Sequence, residues 1–205
     1  MVRTADTLGE SIAALAGIEP RFAAAIERHG PPEPRASPPG ATTLLRTIIG
    51  QQVSVAAARS MWAKVETAYG SPPDLALLLA ATDEDLRAAG VSRQKAGYVR
   101  SLAALVSSGE LDLGSLPADD EEAIALLTKI TGIGRWSAEI YLLFAEGRPD
   151  IWPAGDLAVQ ISVGRMLGLA DRPSEKQLRE IAETWRPHRG AAAILAWHCY
   201  NSAVL

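Results

Sequence analysis

Apolar residues recur at helical spacing along almost the whole chain, and no segment alternates apolar and polar residues for long enough to predict a β-strand. A proline-rich stretch, residues 30–40, cannot be helical and is predicted to be a rigid connector. The sequence therefore predicts an all-α fold. The predicted helices cover residues 20–29, 42–50, 54–69, 74–80, 83–89, 92–108, 120–130, 135–146, 156–168, 174–185 and 188–203.

Residues that favour helix N-termini stand at the start of several of these segments. Hydroxyl side chains can accept the free amides of a first helical turn, and the acids at 119–122 complement the positive end of the helix that follows them. The predicted hydroxyl caps are Thr42 or Thr43, Ser54, Thr82 and Ser92. We expect one domain over residues 1–205 with two helical lobes, one of about residues 41–152 and one of about residues 1–40 plus 153–205.

Composition narrows the class of protein. Apolar residues make up 48% of the chain, but no run of eighteen apolar residues occurs and the first residues lack a signal-peptide core, so we expect a cytoplasmic protein that does not bind membranes. A lone cysteine, Cys199, excludes a disulfide framework and a four-cysteine iron–sulfur cluster. The three histidines are scattered, so no divalent metal site is expected and no cofactor is required.

The formal net charge of −4 is unusual for a protein that binds nucleic acid, but the charges are segregated along the chain. Basic residues occur without acids in residues 41–65, 86–109 and 128–138, whereas acids concentrate in residues 83–85, 110–122 and 175–183. This segregation permits a basic face on an acidic protein. Ordinary solvated helix faces are the alternative interpretation.

The segment Gly132-Ile133-Gly134 joins two helical patterns in a helix-hairpin-helix over residues 120–146. Such a turn directs backbone amides outward and suits a phosphate group, although glycines also join helices in many proteins without a ligand. Twenty residues beyond Trp136, Asp156 begins the next predicted helix. The pair predicts a phosphate-binding turn together with a carboxylate that can take part in chemistry.

Five ordered motifs resemble one protein family over roughly residues 40–200. The resemblance is to the helix-hairpin-helix (HhH-GPD) DNA glycosylase superfamily and, within it, to AlkA-type 3-methyladenine DNA glycosylases II. Longer bacterial members carry an additional N-terminal β-rich domain, for which about forty residues are too few, so a compact two-lobed version is expected. The motifs are residues 48–58, 90–96, 131–138, 153–156 and 185–198.

The resemblance implies an enzyme of base excision repair that acts as a monomer on double-stranded DNA. It would flip out an alkylated base, of the 3-methyladenine or 7-methylguanine type, and hydrolyse the N-glycosidic bond. Asp156 would be the catalytic carboxylate. Bifunctional members carry a lysine where this chain has Trp136, so the resemblance implies no lyase activity and an abasic site as product.

The resemblance also implies roles for residues around the base and the DNA backbone. Trp136, Trp197 and Tyr141 would line the base pocket, with Ile140 at the position aligned to the family's tyrosine. Gln52 and Gln51 would be the wedge residues, with Gln52 at the position that fills the gap left by the flipped base. Trp152 and Trp185 would be core or lobe-interface residues. The implied DNA phosphate contacts are Gly132, Gly134, Trp136, Ser137, Arg93 and Lys95, and the implied ligands of a monovalent cation (Na⁺ or K⁺) are the carbonyls of Thr128, Ile130 and Ile133.

Two other functions remain open on the sequence. A non-catalytic helix-hairpin-helix module would need Gly132 and Gly134 but not Asp156, Trp136 and Trp197 together. A glycosylase for another damaged base is the second, since pocket shape cannot be read from these residues. Etheno adducts, hypoxanthine and N1-methylated bases remain open as substrates.

Overall fold

The computed structural model describes residues 5–202 of the chain, and within them it contains twelve α-helices and no β-strand, which confirms the all-α prediction. A 3-10 turn at Glu183–Trp185 follows α11. The helices are α1 (Ala5–Ile18), α2 (Pro20–His29), α3 (Ala41–Gly50), α4 (Val55–Tyr69), α5 (Leu75–Ala80), α6 (Asp83–Ala88), α7 (Arg93–Ser107), α8 (Asp120–Leu127), α9 (Arg135–Phe144), α10 (Leu157–Met166), α11 (Glu175–Ala182) and α12 (Arg189–Ser202).

The chain forms two compact units. The central unit is Ser37–Tyr141, and the terminal unit combines the chain up to Ala36 with the chain from Leu142 onward. The second boundary therefore falls inside α9, earlier in the chain than the boundary near residue 152 that the sequence predicts. The connector at residues 30–39 is not helical, as predicted.

The terminal unit is built around α12, which packs against α1, α2 and α10. Alanines along α12 are fully buried and allow close approach of these helices. Phe22, Trp152 and Trp185 form an aromatic cluster, with ring centroids 4.9 Å apart for Phe22 and Trp185 and 5.5 Å apart for the two tryptophans. The expectation that Trp152 and Trp185 are core residues is confirmed, since they are 3% and 2% exposed.

α1 is absent from the predicted helices, although its apolar residues have helical spacing. Leu8, Ile12 and Leu15 lie on one face and are almost completely buried. Gly9 and Gly17 lower the intrinsic helix propensity of this segment, so burial of the apolar face against α2 and α12 has to stabilise the helix.

The central unit has α7 at its centre, where it packs against α3, α5 and α6. Ser54, Thr82 and Ser92 cap the helices that follow them, as predicted. Thr42 and Thr43 are not caps, because α3 begins at Ala41, directly after Gly40, and both threonines lie inside it. The proline-rich connector ends at this glycine, whose φ of 108° reorients the chain into the helix.

Several predicted helices extend beyond the last residue of the observed helix. α8 ends at Leu127 instead of residue 130, because the chain turns into the hairpin from Thr128 onward. The segment predicted as 174–185 divides into α11 and the 3-10 turn, and position 203 of the last predicted helix lies outside the described residues. Among the described helices, none has the length and apolar character needed to cross a membrane.

Candidate functional site

Asp156 caps the N-terminus of α10. Its Oδ1 accepts the backbone N–H of Val159 at 2.9 Å and the indole N–H of Trp197 at 3.2 Å. The preceding Pro153-Ala154-Gly155 turn closes through a hydrogen bond from the Asp156 amide to the Pro153 carbonyl, 2.9 Å long. The two donors and the first turn of α10 therefore fix the orientation of this half-buried carboxylate.

Trp197 lies on α12 and reaches Asp156 because α12 packs directly against α10. Its ring is half-buried, and its centroid lies 5.7 Å from that of Phe144 at an interplanar angle of 34°. The adjacent His198 ring nitrogen Nε2 is 2.9 Å from the carbonyl of His29, which anchors the next position of α12 to the end of α2. The terminal unit thus brings a predicted catalytic residue and a predicted pocket residue into direct contact.

The hairpin between α8 and α9 is rigidly built. The side chains of Ile130 and Ile133 are buried, and the amide of Ile133 donates to the Ile130 carbonyl at 3.0 Å. Gly132 has a φ of 86°, a conformation that glycine adopts without strain. Gly134 is exposed immediately before α9, whose first-turn amides have no acceptor within the helix. This arrangement is suited to binding an anion.

Trp136 lies in that first turn of α9 and is 48% exposed, while Ser137 beside it is half-buried. Arg135 is held by two acids: its Nη1 is 2.8 Å from Glu121 Oε2, and its Nε is 2.9 Å from Oε1 of the buried Glu139. The hydrogen bond to Glu121 is the main cause of the raised pKa of Arg135. The charge of Arg135 is therefore offset by these two acids. The other basic residue of the segment 128–138, Lys129, is exposed.

Three residues spaced three apart on α7 anchor the hairpin and the end of α3. Lys95 donates from Nζ to the Ile49 carbonyl at 2.7 Å. The Tyr98 ring lies against Gly132, so that a Cβ on this glycine would overlap the ring. Ser101 Oγ accepts the amide of Thr131 at 3.0 Å. Tyr98, Ser101 and Glu139 are not among the predicted site residues. The signal for Tyr98 and Ser101 is their spacing with Lys95 on one predicted helix.

Lys95 does not lie where a phosphate contact requires it. Its side chain is only 9% exposed, its ammonium is bound to the Ile49 carbonyl, and burial lowers its pKa. The prediction of Lys95 as a phosphate contact is therefore wrong for this conformation, because a basic residue in an acid-free window can equally cap the C-terminus of a neighbouring helix. Arg93 is exposed at the start of α7, with its Nε 3.7 Å from Asp83 Oδ2.

Tyr141 is a core residue of the central unit. Only 3% of it is exposed, and its hydroxyl accepts the amide of Gly40 at 2.8 Å. This hydroxyl is therefore used to hold the connector at the start of α3, whereas Ile140 beside it is half-buried.

The segment between α3 and α4 contains the predicted wedge residues, and the structure separates them. Gln51 turns its side chain inward, and its Nε2 donates to the Gly132 carbonyl at 2.9 Å. Gln52 is exposed and has a φ of 55°, the one positive φ of a non-glycine residue among the described residues. Exposed Val53 follows it, and Ser54 caps α4.

A helix-hairpin-helix, with a helix-capping aspartate about twenty residues further along the chain, defines a class of DNA repair protein. The family model of the HhH-GPD superfamily base excision DNA repair proteins matches residues 45–187. The chain belongs to this superfamily.

Relatives and solved structures agree with this assignment. The chain is 30% identical to DNA-3-methyladenine glycosylase 2 of Escherichia coli over 75% of its own length. It spans 55% of that relative and 56% of the Bacillus subtilis relative YfjP. A crystal structure of a Bacillus halodurans DNA-3-methyladenine glycosidase is 30% identical, with a TM-score of 0.87, 95% of this chain covered and 90% of that one. The 3-methyladenine DNA glycosylase Mag1 of Schizosaccharomyces pombe, solved with abasic DNA, is 25% identical, with a TM-score of 0.78, 96% of this chain covered and 97% of that one.

Proposed function

We propose that this protein is a monofunctional DNA glycosylase that removes alkylated bases from double-stranded DNA and leaves an abasic site. The observation that carries the proposal is the Asp156 carboxylate, held by Val159 and Trp197 at the N-terminus of α10. Membership of a base excision repair superfamily and similarity to proteins named as 3-methyladenine glycosylases support it.

The chemistry follows from the charge that develops during glycosidic cleavage. As the C1′–N bond breaks, its electron pair goes to the base and positive charge develops on the sugar. An ionised carboxylate stabilises that charge and can accept a proton from the water that attacks C1′. A purine methylated at N3 or N7 is cationic and leaves as a neutral base. Its departure therefore requires no general acid to protonate it, and Asp156 can act without one.

Electron-rich aromatic rings would make the site selective for alkylated bases. Trp136 is exposed on α9 and Trp197 is half-buried beside Asp156. A cationic base is attracted to an indole face by about 0.5–2 kcal/mol per ring more than a neutral base of the same shape. We propose Trp136 and Trp197 as the rings that the base contacts, and 3-methyladenine and 7-methylguanine as the substrates.

We propose that the hairpin binds the DNA backbone. Outward amides at Gly134, Trp136 and Ser137 would bind one phosphate, and the start of α9 adds its positive dipole. Arg93 would add a cation at the surface of α7.

The same turn offers oxygen ligands for a monovalent cation that would offset the charge of the phosphate. Among the described residues, no hydrogen bond joins an amide to the carbonyl of Thr128 or Ile133, and the Ile130 carbonyl accepts one amide and keeps a second lone pair. These carbonyls are hard donors of the kind that Na⁺ or K⁺ prefers. The residues present therefore fit the proposed cation, which would stabilise the turn in the form that binds phosphate.

The experiment that tests the proposed function is incubation of the protein with duplex DNA methylated on its purines, followed by chromatography of the released bases. We expect 3-methyladenine and 7-methylguanine to be released faster than by spontaneous loss. Binding of the DNA without any release above that background would instead support a non-catalytic DNA-binding module. Release of etheno adducts or hypoxanthine with no release of methylated purines would show a different lesion range.

The absence of lyase activity has its own test. Trp136 has no amine that could attack C1′, so we expect no covalent adduct when borohydride is added during the reaction. We also expect the product strand to remain intact until alkali is added. A trapped adduct, or strand breaks without alkali, would contradict the monofunctional assignment and would require another amine as nucleophile.

Trp197→Phe separates the two proposed roles of this residue. Phenylalanine keeps an aromatic face but cannot donate to Asp156 Oδ1. Loss of one hydrogen bond to a charged group corresponds to about 1.5–3 kcal/mol, so we expect the single-turnover rate of base release to fall about 10- to 100-fold. Trp152→Phe, in the core cluster of the same unit, is the control for general loss of stability. An unchanged rate in Trp197→Phe would show that the indole N–H does not orient the carboxylate.

A further inference from the structure

The two neighbouring glutamines between α3 and α4 have different environments. Gln51 is half-buried and its amide is bonded to the hairpin carbonyl of Gly132, whereas Gln52 is exposed in a left-handed conformation that a non-glycine residue rarely adopts. Positive φ in such a residue is maintained only when the surrounding structure fixes it. Contacts on both sides of Gln52 along the chain must therefore hold it in this conformation.

Those contacts come from three sides. Lys95 holds the Ile49 carbonyl before the loop, Gln51 holds Gly132, and the Ser54 side chain accepts the amide of Ala57 after it. Of these, only the Gln51 bond joins the loop directly to the hairpin, across 81 residues of sequence.

The Gln51 bond also acts on the hairpin. The peptide group between Gly132 and Ile133 is bonded at both of its polar atoms, because its carbonyl accepts from Gln51 and its N–H donates to Ile130. The orientation of this peptide group determines where the next amides, from Gly134 onward, point. The hydrogen bond from Gln51 to Gly132 therefore fixes both the loop that contains Gln52 and the hairpin amides that we propose to bind phosphate.

We propose that Gln51 is not a wedge but a positioning residue, which locks the wedge loop to the hairpin so that Gln52 enters the duplex in register with the bound phosphate. The proposal rests on the proposed glycosylase function and adds to it the division of labour between Gln51 and Gln52. Loss of Gln51 can weaken DNA binding through the hairpin, but it acts on base release through Gln52, so once the DNA is saturated with protein its loss should slow release only while Gln52 is present.

A double-mutant cycle tests this dependence. Gln51→Met keeps the length and volume of the side chain but removes its donor, and Gln52→Ala removes the wedge. Each single variant is expected to lower the single-turnover rate of base release from a methylated duplex by about tenfold, as the loss of about one hydrogen bond predicts. The double variant is expected to be no more than about twofold slower than Gln52→Ala, because coupled residues are not additive. Gln177→Ala, which removes a glutamine of the α11 capping box, is the control and should leave the rate unchanged.

A second measurement does not depend on catalysis. In an Asp156→Asn background, a duplex with 2-aminopurine at the target position should gain fluorescence on binding, and Gln51→Met and Gln52→Ala should each reduce that gain. Gln51→Glu, which places a carboxylate against the Gly132 carbonyl, should reduce it at least as much and serves if Gln51→Met does not fold. Multiplicative losses of about 100-fold in the double variant, or an unchanged fluorescence gain in both Gln51 variants, would overturn the proposal. Absence of base release by the parent protein, with the fluorescence gain still dependent on Gln51, would instead refute only the glycosylase function.

Discussion

Replacing Asp156 by Asn should abolish most base release while leaving the fold intact. The amide keeps the oxygen that accepts the Val159 N–H, and asparagine caps helices about as well as aspartate, so we expect the free energy of unfolding to change by no more than about 1 kcal/mol. The negative charge is lost, however, and removal of one electrostatic stabiliser of a transition state typically costs about 10²- to 10³-fold in rate. The single-turnover rate on methylated duplex DNA should fall by that factor.

The controls for this prediction separate the cap from the charge. Asp156→Ala removes both, so it should lose activity to a similar extent and in addition lose about 0.5–2 kcal/mol of stability in urea unfolding. Affinity for undamaged duplex should be retained in Asp156→Asn, because the proposed phosphate contacts lie in the other unit, on the hairpin. Base release that persists undiminished in Asp156→Asn would contradict the mechanism proposed for the carboxylate.

Gly132→Ala should have the largest effect on stability of any single methyl added in the hairpin. The backbone has a φ of 86°, which strains any L-residue with a side chain, and the added Cβ would overlap the ring of Tyr98. Strain of about 1–2 kcal/mol and overpacking of about 1–3 kcal/mol together predict a loss of roughly 2–5 kcal/mol in the free energy of unfolding. Urea unfolding followed by tryptophan fluorescence measures it.

Gly134→Ala is the matched control two residues away. No atom lies within 4 Å of its added Cβ, and its φ is not in the left-handed region, so stability should change by less than about 0.5 kcal/mol. A methyl at this exposed position would still obstruct a phosphate approaching the α9 amides, and we expect duplex affinity to fall about tenfold, equivalent to about 1.4 kcal/mol. Equal destabilisation by both variants would contradict the assignment of Gly132 to packing against Tyr98 and of Gly134 to phosphate binding.

Much of the helical architecture follows from sequence periodicity and capping chemistry. Ser54, Thr82 and Ser92 open their helices because each side chain accepts an amide in the first turn, a local interaction that the sequence reveals. The start of α3 was mispredicted, because Gly40 and the hydroxyl of Tyr141, 101 residues apart, determine it. α1 was missed because its stability comes from burial against helices at the other end of the chain.

The site was predictable where the residue type itself carries the chemistry. Asp156 and the two hairpin glycines stand out because a carboxylate cap and a tight turn require those residues at those positions. The direction in which a side chain points is set by tertiary contacts, which is why Lys95 was assigned to the surface and Gln51 to the DNA. Glu139 could be recognised from the sequence only as the i,i+4 partner of Arg135, because its burial is set by tertiary packing.

The order of the segments also has a consequence for synthesis of the chain. The central unit is continuous, so all its helices leave the ribosome before the terminal unit can be completed. α1 and α2 emerge first, but α10 and α12, against which they pack, are made last. During that interval the apolar face of α1, with Leu8, Ile12 and Leu15, cannot yet pack against α12, so the core of the terminal unit is completed only after the last helix has been made.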